Sequence, residues 1–197
     1  SPCSSAEANI GSASGLDSMS STVAILKHLK DLGLSVECPD SPEELRDLFL
    51  SRKAMSEFRW TPKEEILRCG GATYLMPASE YGTYFDTLPE SARDKIISTW
   101  GEPPGESMVI DGKIMISGLR FGNAIVAVQP KRGCFGPKCD GTVCKILHDP
   151  LCPPPHQYLA AYHFFRDIFE ADALIHVGTH GTLEWLPGKA VALSGAC

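Results

Sequence analysis

The sequence predicts an α/β protein: a parallel-sheet βαβ unit in the C-terminal half, with a β-hairpin and several flanking helices. Three observations carry that reading. Apolar residues recur at helical spacing up to about residue 100 and alternate with period two beyond it. Asp111-Gly112 separates two alternating runs, the strongest short-range hairpin signal because both turn residues tolerate positive φ. Two short apolar runs, 123–128 and 173–177, bracket a loop and one helix, which is the order of a crossover unit.

The elements follow in chain order. Residues 1–17 are small, polar and without period. Thr22/Val23, Ile25/Leu26 and Leu29 give helical spacing over 21–30, and Gly33 is placed to end that helix before a short strand at 34–37. Ser41-Pro42-Glu43-Glu44 and Thr61-Pro62-Lys63-Glu64 each set a hydroxyl cap, Pro at the first helical position and Glu at the third. The second of these helices runs to Cys69 and stops at Gly70-Gly71, and a further helix at 89–100 is ended by Gly101 and the Pro103-Pro104-Gly105 turn. Met108–Ile110 and Lys113–Ile116 form the hairpin arms. The run 123–128 reads as a buried strand closed by Gln129-Pro130. A helix over 156–170 carries Leu159, Tyr162, Phe165 and Phe169 on one face, and 173–177 is a second buried strand ending at Gly178. Strands joined by a helical crossover lie parallel, so the 129–155 loop and the loop from Gly178 are expected at one sheet edge, where open α/β sheets bind ligands. Residues 1–105 thus read as a mostly helical α/β segment and 106–197 as the βαβ segment carrying the motif loops.

With 197 residues and 43% hydrophobic content, the chain can bury a core, which excludes general disorder. A net charge of -6 argues against a nucleic-acid groove. No apolar run approaches the roughly 18 residues of a membrane span, and no basic-then-apolar leader opens the sequence, so a cytoplasmic location is expected. Eight cysteines without an export signal point to metal, redox or burial before disulfides. Residues 129–155 alone hold four Cys, six Pro and three Gly.

The segment from Gly178 to Lys189 places His180 and Glu184 four apart among glycines that let backbone approach a ligand closely. His176 precedes it in the strand, and His148, Asp149 and His156 lie across the expected crevice. Imidazoles and carboxylates suit a borderline divalent metal such as Co²⁺, Ni²⁺ or Zn²⁺. Plainer readings stand beside these. His28 reads as a solvated helix residue, His163 as packing between Tyr162 and Phe164, His176 as either a core residue or a ligand, and Glu184 as either a turn cap or a base. The spacing Cys134-x4-Cys139-x4-Cys144 matches no zinc-ribbon pattern, which leaves buried thiols or a Cys-bound metal or iron–sulfur cluster. A phosphate loop is excluded, because Leu183 and Ala190 stand where G-x4-G-K-[ST] needs Gly and Ser or Thr.

Gly118-Leu119-Arg120-Phe121-Gly122-Asn123, Gln129-Pro130-Lys131-Arg132-Gly133, His148-Asp149-Pro150 with Pro153-Pro154-Pro155-His156, and Ala171-Asp172-Ala173 through Lys189 closely resemble the large subunit of cobaltochelatase and the related magnesium chelatase H subunit. Asn9-Ile10-Gly11 and Ser14-Gly15-Leu16-Asp17 are similar to the same family upstream. The resemblance implies an ATP-dependent chelatase that inserts a divalent metal into a tetrapyrrole, with ATP hydrolysed by separate AAA-type subunits and no ATP bound here. His-Asp-Pro, Pro-Pro-Pro-His and Glu-Trp-Leu-Pro-Gly-Lys look more like the cobalt branch, hence a corrin-type macrocycle in cobalamin biosynthesis. The alternatives are magnesium insertion into protoporphyrin IX, on a chlorophyll-type pathway, and a non-catalytic tetrapyrrole- or metal-binding module. Carried onto this chain, the resemblance implies macrocycle contacts from Asn123, Gln129, Arg132, Gly178, Thr179, Gly181, Trp185 and Lys189, catalysis by Glu184 and His180, and metal handling by His148, His156, His176, His180 and Glu184. The family's large subunits are several times longer, so the chain reads as an internal fragment, expected to be inactive by itself.

Overall fold

The computed structural model describes residues 12–13, 15–55, 61–130 and 152–178. The described residues form two compact units that interleave along the sequence. The first takes residues up to Thr73, Ser117–Gln129 and those from Ile175; the second takes Tyr74–Ile116 and Pro130 with the residues up to Leu174.

In the first unit, β1 (Ser12–Ala13) and β2 (Leu16–Asp17) form a two-residue antiparallel ladder ahead of helix α1, Ser18–Asp31. The helix begins three residues before the sequence suggests because Asp17 caps it. Its carboxylate accepts the Ser20 N–H at 2.9 Å and the Ser20 hydroxyl at 2.6 Å. Helix α2, Pro42–Arg52, has the expected cap, with Ser41 Oγ accepting the Glu44 N–H at 3.2 Å; the returning Glu44 carboxylate accepts the Asp40 N–H at 2.6 Å. Helix α3, Lys63–Arg68, departs from expectation. Pro62 stands at its cap without a side-chain hydrogen bond, and Thr61 is buried instead of capping. The strand expected at 34–37 reduces to one antiparallel bridge from Val36 to Gly122. The run 123–128 contributes only β7, Ala124–Val126, which pairs antiparallel with β6, Leu119–Phe121. Val23 and Leu26 of α1, Leu45 and Phe49 of α2, and Leu119 and Phe121 of β6 share one buried cluster. Each such side chain contributes about 1.5–3 kcal/mol on burial.

The second unit holds a three-stranded sheet in the order β3-β5-β4, formed by β3 (Ala72–Pro77), β4 (Val109–Ile110) and β5 (Lys113–Ser117). The hairpin is as expected. Val109 faces Ile114, Ile110 faces Lys113, and Asp111 and Gly112 take φ of 48° and 69°. Strand β3 and helix α4 (Ala78–Phe85) were not legible as elements. Helix α5, Glu90–Trp100, ends at Gly101 as expected. Helix α6, His156–His163, passes into a π-helical turn over Phe164–Ile168, closed by the Phe169 N–H donating to the Phe164 carbonyl at 2.8 Å. The expected helix is therefore present through residue 168, with its last part in the wider coil.

The α/β class holds, while the parallel βαβ pairing is not found among the described residues. Residues 173–177 form no strand there, and Leu174 and Ile175 are 48% and 58% exposed. An apolar run specifies a segment that gains by burial; it does not specify the partner that buries it.

Candidate functional site

Of the residues singled out in the sequence, Arg132, His148, Thr179, His180, Gly181, Glu184, Trp185 and Lys189 lie outside the described residues, as do Cys134, Cys139, Cys144 and Asp149. Asn123, Gln129, His176 and Gly178 all belong to the first unit. Asn123 is exposed at the β6–β7 turn, where its N–H donates to the Ser35 carbonyl at 2.8 Å beside Gly122 in the left-handed region, φ 64°. His176 and Gly178 are exposed. Cys152 is buried, and its thiol donates to the Pro153 carbonyl at 3.7 Å. No group of three or more His, Cys, Asp or Glu that could hold a metal occurs among the described residues.

His156 lies in the second unit and is 2% exposed. Its Nε2 sits 2.9 Å from the Gly101 carbonyl, which only accepts, so Nε2 carries the hydrogen. Burial lowers the imidazole's pKa, partly opposed by that bond, and favours the neutral ring. Nδ1 then accepts the Tyr81 hydroxyl proton at 2.9 Å, while Tyr81 is itself held protonated by burial. The Tyr81 ring meets His156 edge-on at 5.5 Å, and Gly105, at φ 72°, packs so closely that a Cβ there would lie 2.8 Å from the imidazole. With both nitrogens engaged, His156 is a buried cross-link between α4, α6 and the turn after α5. In this arrangement the Nε2 hydrogen is given to Gly101 and the Nδ1 lone pair is taken by the Tyr81 hydroxyl.

A second cluster, around the His163 expected as packing, is built at the junction of α6 and the π-helical turn. His163 lies flat on Tyr84 of α4, ring centroids 4.0 Å apart and 8° from parallel. Its Nδ1–H donates to Asp167 Oδ2 at 2.6 Å. Arg166 donates to both oxygens of the same carboxylate, at 2.7 and 2.6 Å, and its guanidinium carbon stands 6.0 Å from the Tyr84 centroid. The Arg166 bonds, assisted by His163, hold the Asp167 pKa down to about 2, and burial raises that of Tyr84. Beside the cluster is a cavity of about 360 Å³ lined by Tyr84, Tyr162, His163, Arg166, Asp172 and Leu174 among others. The signal in the sequence was His163 and Asp167 at i, i+4, with Tyr81, Tyr84 and Phe85 at helical spacing.

This chain belongs to the CobN/Magnesium Chelatase family, whose model matches residues 1–197. Its relatives include the uncharacterized protein MJ1441 of Methanocaldococcus jannaschii, 55% identical over 99% of this chain and 16% of that protein. The aerobic cobaltochelatase subunit CobN of Pseudomonas aeruginosa is 38% identical over 97% of this chain and 14% of its own length. Among solved structures, the catalytic subunit of cobaltochelatase from Mycobacterium tuberculosis superposes with a TM-score of 0.70 at 38% identity, covering 95% of this chain and 15% of that one. The chain thus spans about one-seventh of the length of these relatives. No helix among the described residues is long and apolar enough to cross a membrane.

Proposed function

We propose that the chain forms the tetrapyrrole- and metal-handling part of the large subunit of an ATP-dependent chelatase that inserts a divalent metal, cobalt, into a corrin-type macrocycle. The observation that carries the reading is the family match over all 197 residues, joined to the His180/Glu184 segment of the sequence. The cobalt preference draws on the two matches at 38% identity, both to cobaltochelatase subunits.

Insertion removes protons from ring nitrogens and strips water from the metal, so it needs a base and weak, exchangeable ligands. Glu184 supplies the base or metal-handling carboxylate and His180 its partner, with His148, His156 and His176 subsidiary; His156 takes this part on exchanging the Tyr81 hydroxyl at Nδ1 for the metal. Asn123, Gln129, Arg132 and the Gly178–Lys189 segment contact the macrocycle. ATP is used by separate AAA-type subunits, and the isolated chain does not turn over. The metal is a substrate, and imidazole and carboxylate release it more readily than a ring of thiolates.

Glu184→Gln in the full-length subunit, supplied with its ATPase partners, is expected to abolish metal insertion while tetrapyrrole binding, followed by absorbance titration, stays within a few-fold. Insertion at a near-normal rate would remove Glu184 from the mechanism.

A further inference from the structure

The cavity beside the π-helical turn has the chemistry of a proton-accepting site. Asp167 fixes the His163 tautomer by taking the Nδ1 hydrogen at 2.6 Å, which leaves Nε2 as the acceptor nitrogen. Among the described residues Nε2 has no hydrogen-bond partner, and His163 lines the cavity while only 14% of its side chain is exposed. The stack on Tyr84 holds the ring plane, and Arg166 anchors Asp167 from the other side. An imidazole oriented by a carboxylate, with its second nitrogen open to a cavity, is the arrangement general bases use. The aromatic wall formed by Tyr84 and Tyr162 suits a flat, conjugated ligand. The π-helical turn carries Arg166 and Asp167 of the cluster, and the left-handed Glu170, φ 55°, follows it; such interruptions of a helix concentrate at functional sites.

We propose that His163 Nε2 accepts a ring N–H proton from a planar macrocycle whose edge enters this cavity, with Asp167 as its positioning residue. The inference deepens the chelatase reading and rests on it. A divalent metal displaces each ring N–H proton that it replaces, one from a corrin-type ring and two from a free-base porphyrin, and a neutral imidazole facing the macrocycle edge can take such a proton directly. In the step, the N–H bond breaks, its electron pair stays on the ring nitrogen to bind the metal, and the proton goes to Nε2. The imidazolium is held by Asp167 and then releases its proton to water. The other charged or titratable groups facing His163 are Tyr84 from α4, Arg166 from its own turn, and Tyr162 and Asp172 along the cavity wall.

The experiment uses the full-length subunit with its ATPase partners and a water-soluble dicarboxylic porphyrin with Co²⁺ as probes. His163→Ala is expected to slow single-turnover insertion by about 10²–10⁴-fold, to leave porphyrin affinity within a few-fold, and to regain rate when imidazole is added to the solution. Asp167→Asn is expected to move the acid limb of the rate profile to lower pH, because losing the carboxylate disfavours the imidazolium. Insertion by His163→Ala within about two-fold of wild type overturns the proposal, as does a loss that imidazole does not restore accompanied by an unmoved limb in Asp167→Asn. Failure of the chelatase reading itself looks different: the unsubstituted protein inserts Co²⁺ into neither the porphyrin nor a metal-free corrin.

Discussion

Tyr81 and His156 show how a residue type with two uses is assigned by its surroundings. A histidine after three prolines reads as a ligand in the sequence, yet in the fold its two nitrogens are used by Gly101 and Tyr81. Removing the Tyr81 hydroxyl leaves Nδ1 buried without a donor, so Tyr81→Phe is expected to lower unfolding free energy by about 1–3 kcal/mol, read by urea denaturation at pH 7.5. The same pair fixes a pH dependence. His156 is depressed below the ordinary imidazole value by burial, so the unfolded chain takes up a proton near pH ~6.5 that the folded chain refuses. Its contribution is present above that pH and is lost as the pH falls below it. Subtracting the profile of His156→Gln from that of the unsubstituted chain isolates this slope; a flat difference between pH 7.5 and 5 would mean that His156 is not held neutral.

At the level of elements, the sequence was most informative where a local rule decides the outcome. Asp111-Gly112 and Ser41-Pro42-Glu43-Glu44 needed nothing beyond their own residues to turn or to cap, and both form as expected. Thr61 did not cap, because burying it was the competing use of that position. Strand β3 and helix α4 escaped notice since Thr73-Tyr74-Leu75-Met76 and Tyr81, Tyr84 and Phe85 are short apolar sets whose assignment depends on neighbours far away in the chain. At the junction where α3 hands over to β3, backbone approaches backbone closely. Gly71 lies so close to the end of α2 that a Cβ would sit 2.3 Å from the Arg52 carbonyl oxygen and 2.6 Å from that of Lys53. Both neighbours are backbone, which cannot swing aside as a flexible side chain does. Gly71→Ala is therefore expected to cost at least about 1–3 kcal/mol, whereas Gly112→Ala, where a Cβ meets nothing within 4 Å but φ is 69°, should cost only the roughly 1 kcal/mol of a left-handed alanine. Equal losses at the two sites in thermal denaturation would show that close approach is not what holds Gly71.

For the molecule as a whole, the residues that carry the functional reading and the residues that carry the fold are largely different sets. The cluster of Val23, Leu26, Leu45, Phe49, Leu119 and Phe121 was legible as apolar periodicity, while the partner of 173–177 was not, because periodicity encodes the need for burial and tertiary contacts supply the means. In this chain Ile175 is 58% exposed and Leu174 48%, beside half-exposed or exposed neighbours from Asp172 to Val177. A side chain already in water loses little when it is made polar, so Ile175→Gln is expected to change the stability of the 197-residue chain by no more than about 0.5 kcal/mol. The expected βαβ strand predicts the opposite: a residue at the centre of a parallel strand would lose its burial and strand an amide in the core, at about 2–5 kcal/mol. Phe49→Ala provides the internal scale, since a 2% exposed aromatic should cost about 3–5 kcal/mol in the same urea titration. If Ile175→Gln falls near Phe49→Ala and not near zero, the segment packs as a strand in solution and the crossover unit read from the sequence is the better description of this half of the chain.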